Sequence, residues 1–163
     1  TDALTGLANR HAAAQALGEL LGRIPEPLTV MLLDLDEFKR INDSHGHQAG
    51  DAVLREAASR MRAALPAEAL LGRWGGEEFI AILDGAPDRE PASVAEAMRA
   101  ALAAAPVPFE GVAIPVTVSI GVATAFASDG IDALLAEADA ALYRAKNAGR
   151  NRVVYGPSPV LAS

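Results

Sequence analysis

The stretch LTVMLLDLDEFKRINDSHGHQAGD, residues 28–51, decides how this chain folds. Residues 28–35 are an unbroken apolar run closing on acid, and the next acid follows at Asp36. A short run rich in Val and Leu predicts a strand buried on both faces. Residues 36–50 are polar, carry Gly46 and Gly50, and read as a helix turn plus loop. From Asp51 to Leu65 the residues Leu54, Ala57, Ala58, Met61 and Leu65 fall on one helical face, and Pro66 stops the helix. Two apolar runs follow, 69–74 and 78–83, with Gly75 and Gly76 between them. A glycine pair there is a hairpin signal, because tight turns demand positive φ angles.

Toward the N-terminus, Asn9 reads as a helix cap before Ala13, Ala16, Leu17, Leu20 and Leu21, and Pro25 and Pro27 end that helix. Toward the C-terminus, Pro91 suits a first helical turn, with Val94, Met98, Ala101 and Leu102 as the apolar side. Residues 112–124 are the longest strand candidate, with Pro115 near its start. A helix over 131–147 carries the stripe Ile131, Leu134, Leu135, Ala138, Leu142 and Ala145, and Gly149 marks its end. Val153–Tyr155 reads as an edge strand and residues 156–163 as a frayed tail. With no repeat and no linker, residues 1–155 form one domain.

The 163 residues suffice for a core without help, with about two-thirds of the unfolded surface buried. Cys 0 excludes disulfides, thiol nucleophiles and Cys-ligated metal. A net charge of −7 speaks against gripping a nucleic-acid backbone. An RNA-binding βαββαβ domain is disfavoured further by an aromatic content of 4%, which leaves few stacking platforms. No apolar run approaches the roughly 20 residues of a membrane span, and membrane contact by this domain is not expected. The chain opens on Thr1, so a preceding regulatory or anchoring segment is expected in the whole protein.

Three features carry chemistry. Asp34 and Asp36 are two apart, the spacing that puts both carboxylates on one side of a strand end. Such acids repel unless a cation lies between them, and hard oxygens favour Mg2+ or Mn2+. Acids simply facing water at a loop mouth give the same pattern. The tip Gly75-Gly76-Glu77-Glu78-Phe79 combines close backbone approach with two more acids. Lys146, Arg150 and Arg152 follow the last helical stripe, and Lys39 follows Asp36. Cations at a helix end are dipole partners by default, but beside metal-binding carboxylates they can hold phosphates. Together these parts describe metal-assisted phosphoryl or nucleotidyl transfer. No P-loop, GxGxxG, GxSxG or HExxH pattern competes.

The stretch from Asp34 to Asp51, followed by Arg73-Trp74 and GGEEF, resembles the GGDEF domain of diguanylate cyclases. The resemblance extends to DALTGLANR at 2–10, VTVSIGVA at 116–123 and ADAALYRAKNAGRNRV at 138–153. It implies an α+β fold like the palm of adenylyl cyclases and polymerases, a βαββαβ core whose mainly antiparallel sheet is flanked by helices. It implies condensation of two GTP into cyclic di-GMP with release of two pyrophosphates, each 3′-hydroxyl attacking the other nucleotide's α-phosphate across a homodimer. By the same resemblance Asp34, Glu77 and the Leu35 carbonyl are expected to hold Mg2+ or Mn2+. Asn42 and Asp51 are expected on the guanine, and Phe38, Lys39, Lys146 and Arg150 at the substrate, the cations on its phosphates. Glu78, the second acid of the signature, is expected to act on the metal or the transition state. The group that takes the 3′-hydroxyl proton stays open. His45 and His47 read as structural, Trp74 as packing, and Arg10 as a partner for an acid.

Many members carry Arg-x-x-Asp ahead of the signature, as a product-binding inhibitory site. Here Pro66 and Ala69 stand at those positions, so feedback inhibition through that site is expected to be absent. A cytoplasmic location is expected. The reading set against catalysis is a GTP-binding or partner-binding module that keeps the fold without the reaction.

Overall fold

The structure, a computed structural model, describes residues 1–23, 27–85, 90–125 and 130–156. In chain order it contains α1 (Arg10–Leu21), β1 (Leu28–Leu35), α2 (Phe38–His45), α3 (His47–Ala64), β2 (Leu70–Arg73) and β3 (Glu78–Asp84). There follow α4 (Pro91–Ala103), β4 (Val107–Phe109), β5 (Val112–Ile114), β6 (Val118–Ala125), α5 (Ile131–Asn147) and β7 (Val153–Tyr155). The apolar run that opened the analysis is β1, buried at all eight positions. It lies in the middle of a five-stranded sheet of order β2-β3-β1-β6-β7. Its neighbours β3 and β6 are both antiparallel to it, and only β7 runs parallel to its partner. The fold is therefore α+β with a mainly antiparallel sheet, as expected.

Alternation along β1 splits the core into two layers. Met31, Leu33 and Leu35 face α3 and α4, where Val53, Ala57, Met61, Val94 and Met98 are buried. Leu28, Val30 and Leu32 face α1 and α5, against Leu17, Leu134, Ala138 and Leu142. Gly121 lets α5 lie directly on β6, since a Cβ there would run into the backbone of Ala138 and Leu142. That close approach sets the height at which the end of α5 meets the end of β1.

Local signals hold where they were strong. Asn9 caps α1 by accepting from the Ala12 N–H at 2.9 Å, Pro91 sits in the first turn of α4, and β2 and β3 form the Gly75-Gly76 hairpin. Three expectations need correction. The polar segment after β1 is mostly helical: α2 ends at Gly46 and α3 begins at His47, ahead of the expected Asp51. The single strand over 112–124 is two, because Pro115 brings no N–H to a ladder and the chain changes sheets between β5 and β6. β5 pairs instead with the unanticipated β4 through Glu110 (φ 46°) and Gly111 (φ 80°), a turn with both central residues left-handed. Pro25 and tail residues 157–163 lie outside the described residues, and Gly156 bonds to β6 through its N–H to the Val122 carbonyl at 2.7 Å.

Candidate active site

Strand register builds the acid cluster. Asp34 is opposite Glu78 on β3 and opposite Ser119 on β6. The Leu35 N–H donates to the Glu77 carbonyl at 3.2 Å, which ties the signature turn to the end of β1. Asp34 is 7% exposed, and the Lys146 ammonium at the end of α5 donates to its Oδ2 at 2.6 Å. Burial pushes the Asp34 carboxyl above the ordinary carboxylate range; the Lys146 bond and charge oppose this, and Glu77 and Glu78 add to the rise. The ionised form thus lacks full compensation, the condition in which an added cation binds well.

Asp36 does not join that cluster. β1 ends at Leu35, so the two-residue alternation stops before Asp36. Its carboxylate turns to β6 and accepts from the hydroxyls of Thr117 and Ser119, each at 2.6 Å. The reading of Asp34 and Asp36 as two like carboxylates on one strand face is therefore corrected: both line the smaller cavity, but the Asp36 oxygens are taken up by hydroxyls while Asp34 meets Lys146.

Two adjoining cavities share Phe38, Lys39 and Glu77. The smaller, about 160 Å3, is lined also by Asp34, Leu35, Asp36, Glu37, Lys146 and Arg150. The larger, about 320 Å3, takes in Asn42, His47, Asp51 and Leu54. Asn42 Oδ1 is buried without a partner among the described residues. Gly50 makes room for it, because a Cβ there would overlap that oxygen and crowd Phe38. A buried acceptor without a partner calls for a donor, which a ligand or a water at this wall of the cavity can supply. The first two N–H groups of α2, at Phe38 and Lys39, precede its first internal bond, Arg40 N–H to Glu37 carbonyl, and lie at the positive end of the helix. The Lys39 ammonium itself pairs with Asp43 at 3.0 Å on the exposed surface. Glu78 lines neither cavity and acts on the cluster as the cross-strand neighbour of Asp34.

Sequence reasoning missed the role of Arg73 and misjudged Arg10. The Arg73 guanidinium donates to the carbonyls of Gly75 and Gly76, the latter at 2.8 Å from Nη2, and to Asp2 at 3.2 Å. It clamps the signature turn from beneath and joins it to the N-terminal lead-in. Partial burial alone would raise the Asp2 carboxyl, but the Thr5 hydroxyl and N–H with Arg73 outweigh it and hold it below its usual value. Arg10 pairs with no acid among the described residues: it lies over the Trp74 ring at 4.2 Å and donates to the Trp74 carbonyl at 3.0 Å. His47 lines the larger cavity. Arg73 signals nothing in sequence, because its acceptors on the turn are backbone carbonyls.

Among the described residues no group of three or more His, Cys, Asp or Glu side chains is set to hold a metal ion. The smaller cavity is lined by four acids, Asp34, Asp36, Glu37 and Glu77, with the Leu35 main chain; both Asp36 oxygens are already taken by hydroxyls, and Glu37 pairs with Arg40. That donor set is all hard oxygen and carries one under-compensated acid, which fits a small divalent cation completed by ligand oxygens and water.

Residues 1–152 match the family described as Diguanylate cyclase, GGDEF domain. The chain is 40% identical over 156 residues to Diguanylate cyclase DgcP of Pseudomonas aeruginosa, covering 94% of this chain and 23% of that protein. It superposes on the crystal structure of the diguanylate cyclase SiaD, solved with its activator SiaC from the same species, with TM-score 0.90, 36% identity, 95% of this chain and 61% of the other. Against the GGDEF domain of DgcB from Caulobacter crescentus, solved with c-di-GMP, the TM-score is 0.88 at 34% identity over 97% of this chain and 93% of that one. The chain spans less than half the length of the curated relatives it matches.

Proposed function

This chain belongs to the diguanylate cyclase GGDEF family, and we propose that it condenses two GTP into cyclic di-GMP and two pyrophosphates, working as a homodimer. The observation that carries the proposal is the pair of adjoining cavities that share Glu77, one with acids and cations, the other with Asn42 and Asp51. Guanine offers donors and an acceptor along its edges. The bare Asn42 oxygen accepts from such a donor, and the Asp51 carboxylate takes another. Phosphates then lie over the N-terminus of α2, with the Phe38 and Lys39 N–H groups, in the cavity that Lys146 and Arg150 also line. Lys39 reaches them by leaving its exposed pairing with Asp43, a bond of little worth.

Asp34, Glu77 and the Leu35 carbonyl would hold the divalent cation, Mg2+ or Mn2+. When bound, that ion neutralises phosphate oxygens as charge builds on them. Glu78, opposite Asp34, keeps the field at the strand end negative. The attacking 3′-hydroxyl comes from the nucleotide of a second copy, since one chain has a single set of these groups. Each attack forms a P–O bond at the other nucleotide's α-phosphate and breaks its bond to pyrophosphate, which leaves along the wall of Lys146 and Arg150. The reaction belongs to the domain at residues 1–155 and to the cytoplasm, and the whole protein carries a regulatory domain ahead of it. No helix among the described residues is long and apolar enough to cross a membrane.

The test is incubation with GTP and Mg2+ at rising protein concentration. Cyclic di-GMP and pyrophosphate in a one-to-two ratio, at a rate rising faster than linearly with protein, are expected. GTP bound but unconverted across the range would identify a nucleotide-binding module instead.

A further inference from the structure

Asp36 is the buried acid that the mechanism leaves without a role. It is 9% exposed, and its Oδ1 accepts from the Ser119 hydroxyl at 2.6 Å. Its Oδ2 accepts from the Thr117 hydroxyl at 2.6 Å and from the Asn151 N–H at 3.0 Å. Its own N–H donates to the Thr117 carbonyl at 2.9 Å. The side chain is thus fixed by β6, and it spends one of its acceptor positions on the backbone of the turn after α5.

That turn is the most strained segment of the described chain. Gly149, Arg150 and Asn151 have φ of 124°, 64° and 46° in succession. Two neighbouring residues other than glycine in the left-handed region need outside support. Arg150 N–H bonds back to the Ala145 carbonyl at 3.0 Å, and the Asn151 side-chain oxygen accepts from Arg99 at 2.7 Å. The Asp36 carboxylate supplies the backbone bond at Asn151, from the loop that leads into α2. It therefore links both walls of the smaller cavity, the helix N-terminus on one side and Arg150 on the other.

We propose that Asp36 is a positioning residue for nucleotide phosphates: it holds the left-handed turn at Arg150–Asn151 and so aims the Arg150 guanidinium into the cavity. This rests on the reading of that cavity as the phosphate site of GTP. The sequence pattern that suggested a second metal carboxylate is instead a brace between the two phosphate-binding elements. Asp36 also lines that cavity, but its carboxylate oxygens are spent on Thr117, Ser119 and the Asn151 N–H, so it acts through Arg150.

Binding of two probes separates this role from a general structural one. The first is 3′-deoxy-GTP with Mg2+, which lacks the attacking hydroxyl; the second is guanosine, which fills only the base cavity. Asp36→Ala should weaken the triphosphate about tenfold, the cost of losing a bond to a charged group, and leave guanosine unchanged. In an Arg150→Ala background the same substitution should have almost no further effect, because both act through one group. Equal weakening of both probes, or additivity with Arg150→Ala, would overturn the proposal. If Asp36→Ala fails to fold, Asp36→Asn carries the test: it exchanges one acceptor for a donor and should give the same selective loss at smaller size. Unchanged triphosphate affinity in Asp36→Asn would refute the brace. A wild-type chain that binds neither probe would refute the GTP reading instead.

Discussion

Lys146 on α5 and Asp34 at the end of β1 stand 112 residues apart in the chain, and their side chains meet at 2.6 Å. The contact exists because β1 is central, β6 pairs beside it, and Gly121 lets α5 lie flat on β6. It brings a cation to the strand end where Glu77 and Glu78 also act on Asp34. Even so, burial and the neighbouring Glu77 and Glu78 keep the Asp34 carboxyl raised.

A raised folded-state pKa has a definite sign. The Asp34 carboxyl favours the folded state below its ordinary pKa, and that contribution is lost as pH rises through the raised value. At neutral pH the ionised group therefore works against the metal-free fold. Asp34→Asn should give metal-free protein a higher Tm than wild type at neutral pH, with the advantage shrinking on acidification. Thermal melts in chelator across the acid range check this. A Tm advantage that grows on acidification would contradict it.

Glu77 lines both cavities. Glu77→Gln keeps its shape and removes its charge, so turnover should fall by about 10³-fold, on the order of 4 kcal/mol of barrier. Chelation of divalent ions should abolish turnover in wild type, with recovery on adding Mg2+ or Mn2+. Product formation by Glu77→Gln near the wild-type rate, followed by chromatography, would remove this residue from the ion site.

Asn42 offers a two-signed expectation. Its buried Oδ1 lacks a partner without ligand, and an unpaired buried acceptor costs about 1–3 kcal/mol. Asn42→Ala should leave ligand-free stability unchanged or higher, while kcat/KM for GTP falls about tenfold or more and discrimination against ATP narrows. Denaturant melts and paired kinetics read both arms. Lost stability with intact preference for GTP would mean that the oxygen serves packing.

Product feedback should be missing. The position of the inhibitory motif is a turn closed by Arg62, which donates to the carbonyls of Pro66 and Ala69. The cavity beside it, about 100 Å3, is bordered by Glu68 and Asp84, which repel a dianionic product. Initial rates with added cyclic di-GMP should be flat through the low micromolar range. Strong noncompetitive inhibition there would contradict this.

Much of this was legible in the chain because the decisive signals are local. The run at 28–35, the cap at Asn9, the glycine pair and the stripe on α5 each declare an element through spacing alone. The β4–β5 hairpin was hidden because Glu110 takes a left-handed angle that its residue type does not announce. Asp36 was misread because strand alternation ended one residue before it. Arg73 stayed silent because it serves backbone carbonyls, and the bare oxygen of Asn42 exists only once Gly50 packs against it.

The most direct measurement is a crystal structure of the chain with 3′-deoxy-GTP and Mn2+, using the anomalous signal to locate the ion. The account expects one Mn2+ bridging the Asp34 and Glu77 carboxylates, with oxygens at about 2.1–2.3 Å and a phosphate oxygen completing the shell. An ion seated elsewhere, with those two carboxylates too far apart to reach a common centre, would contradict it.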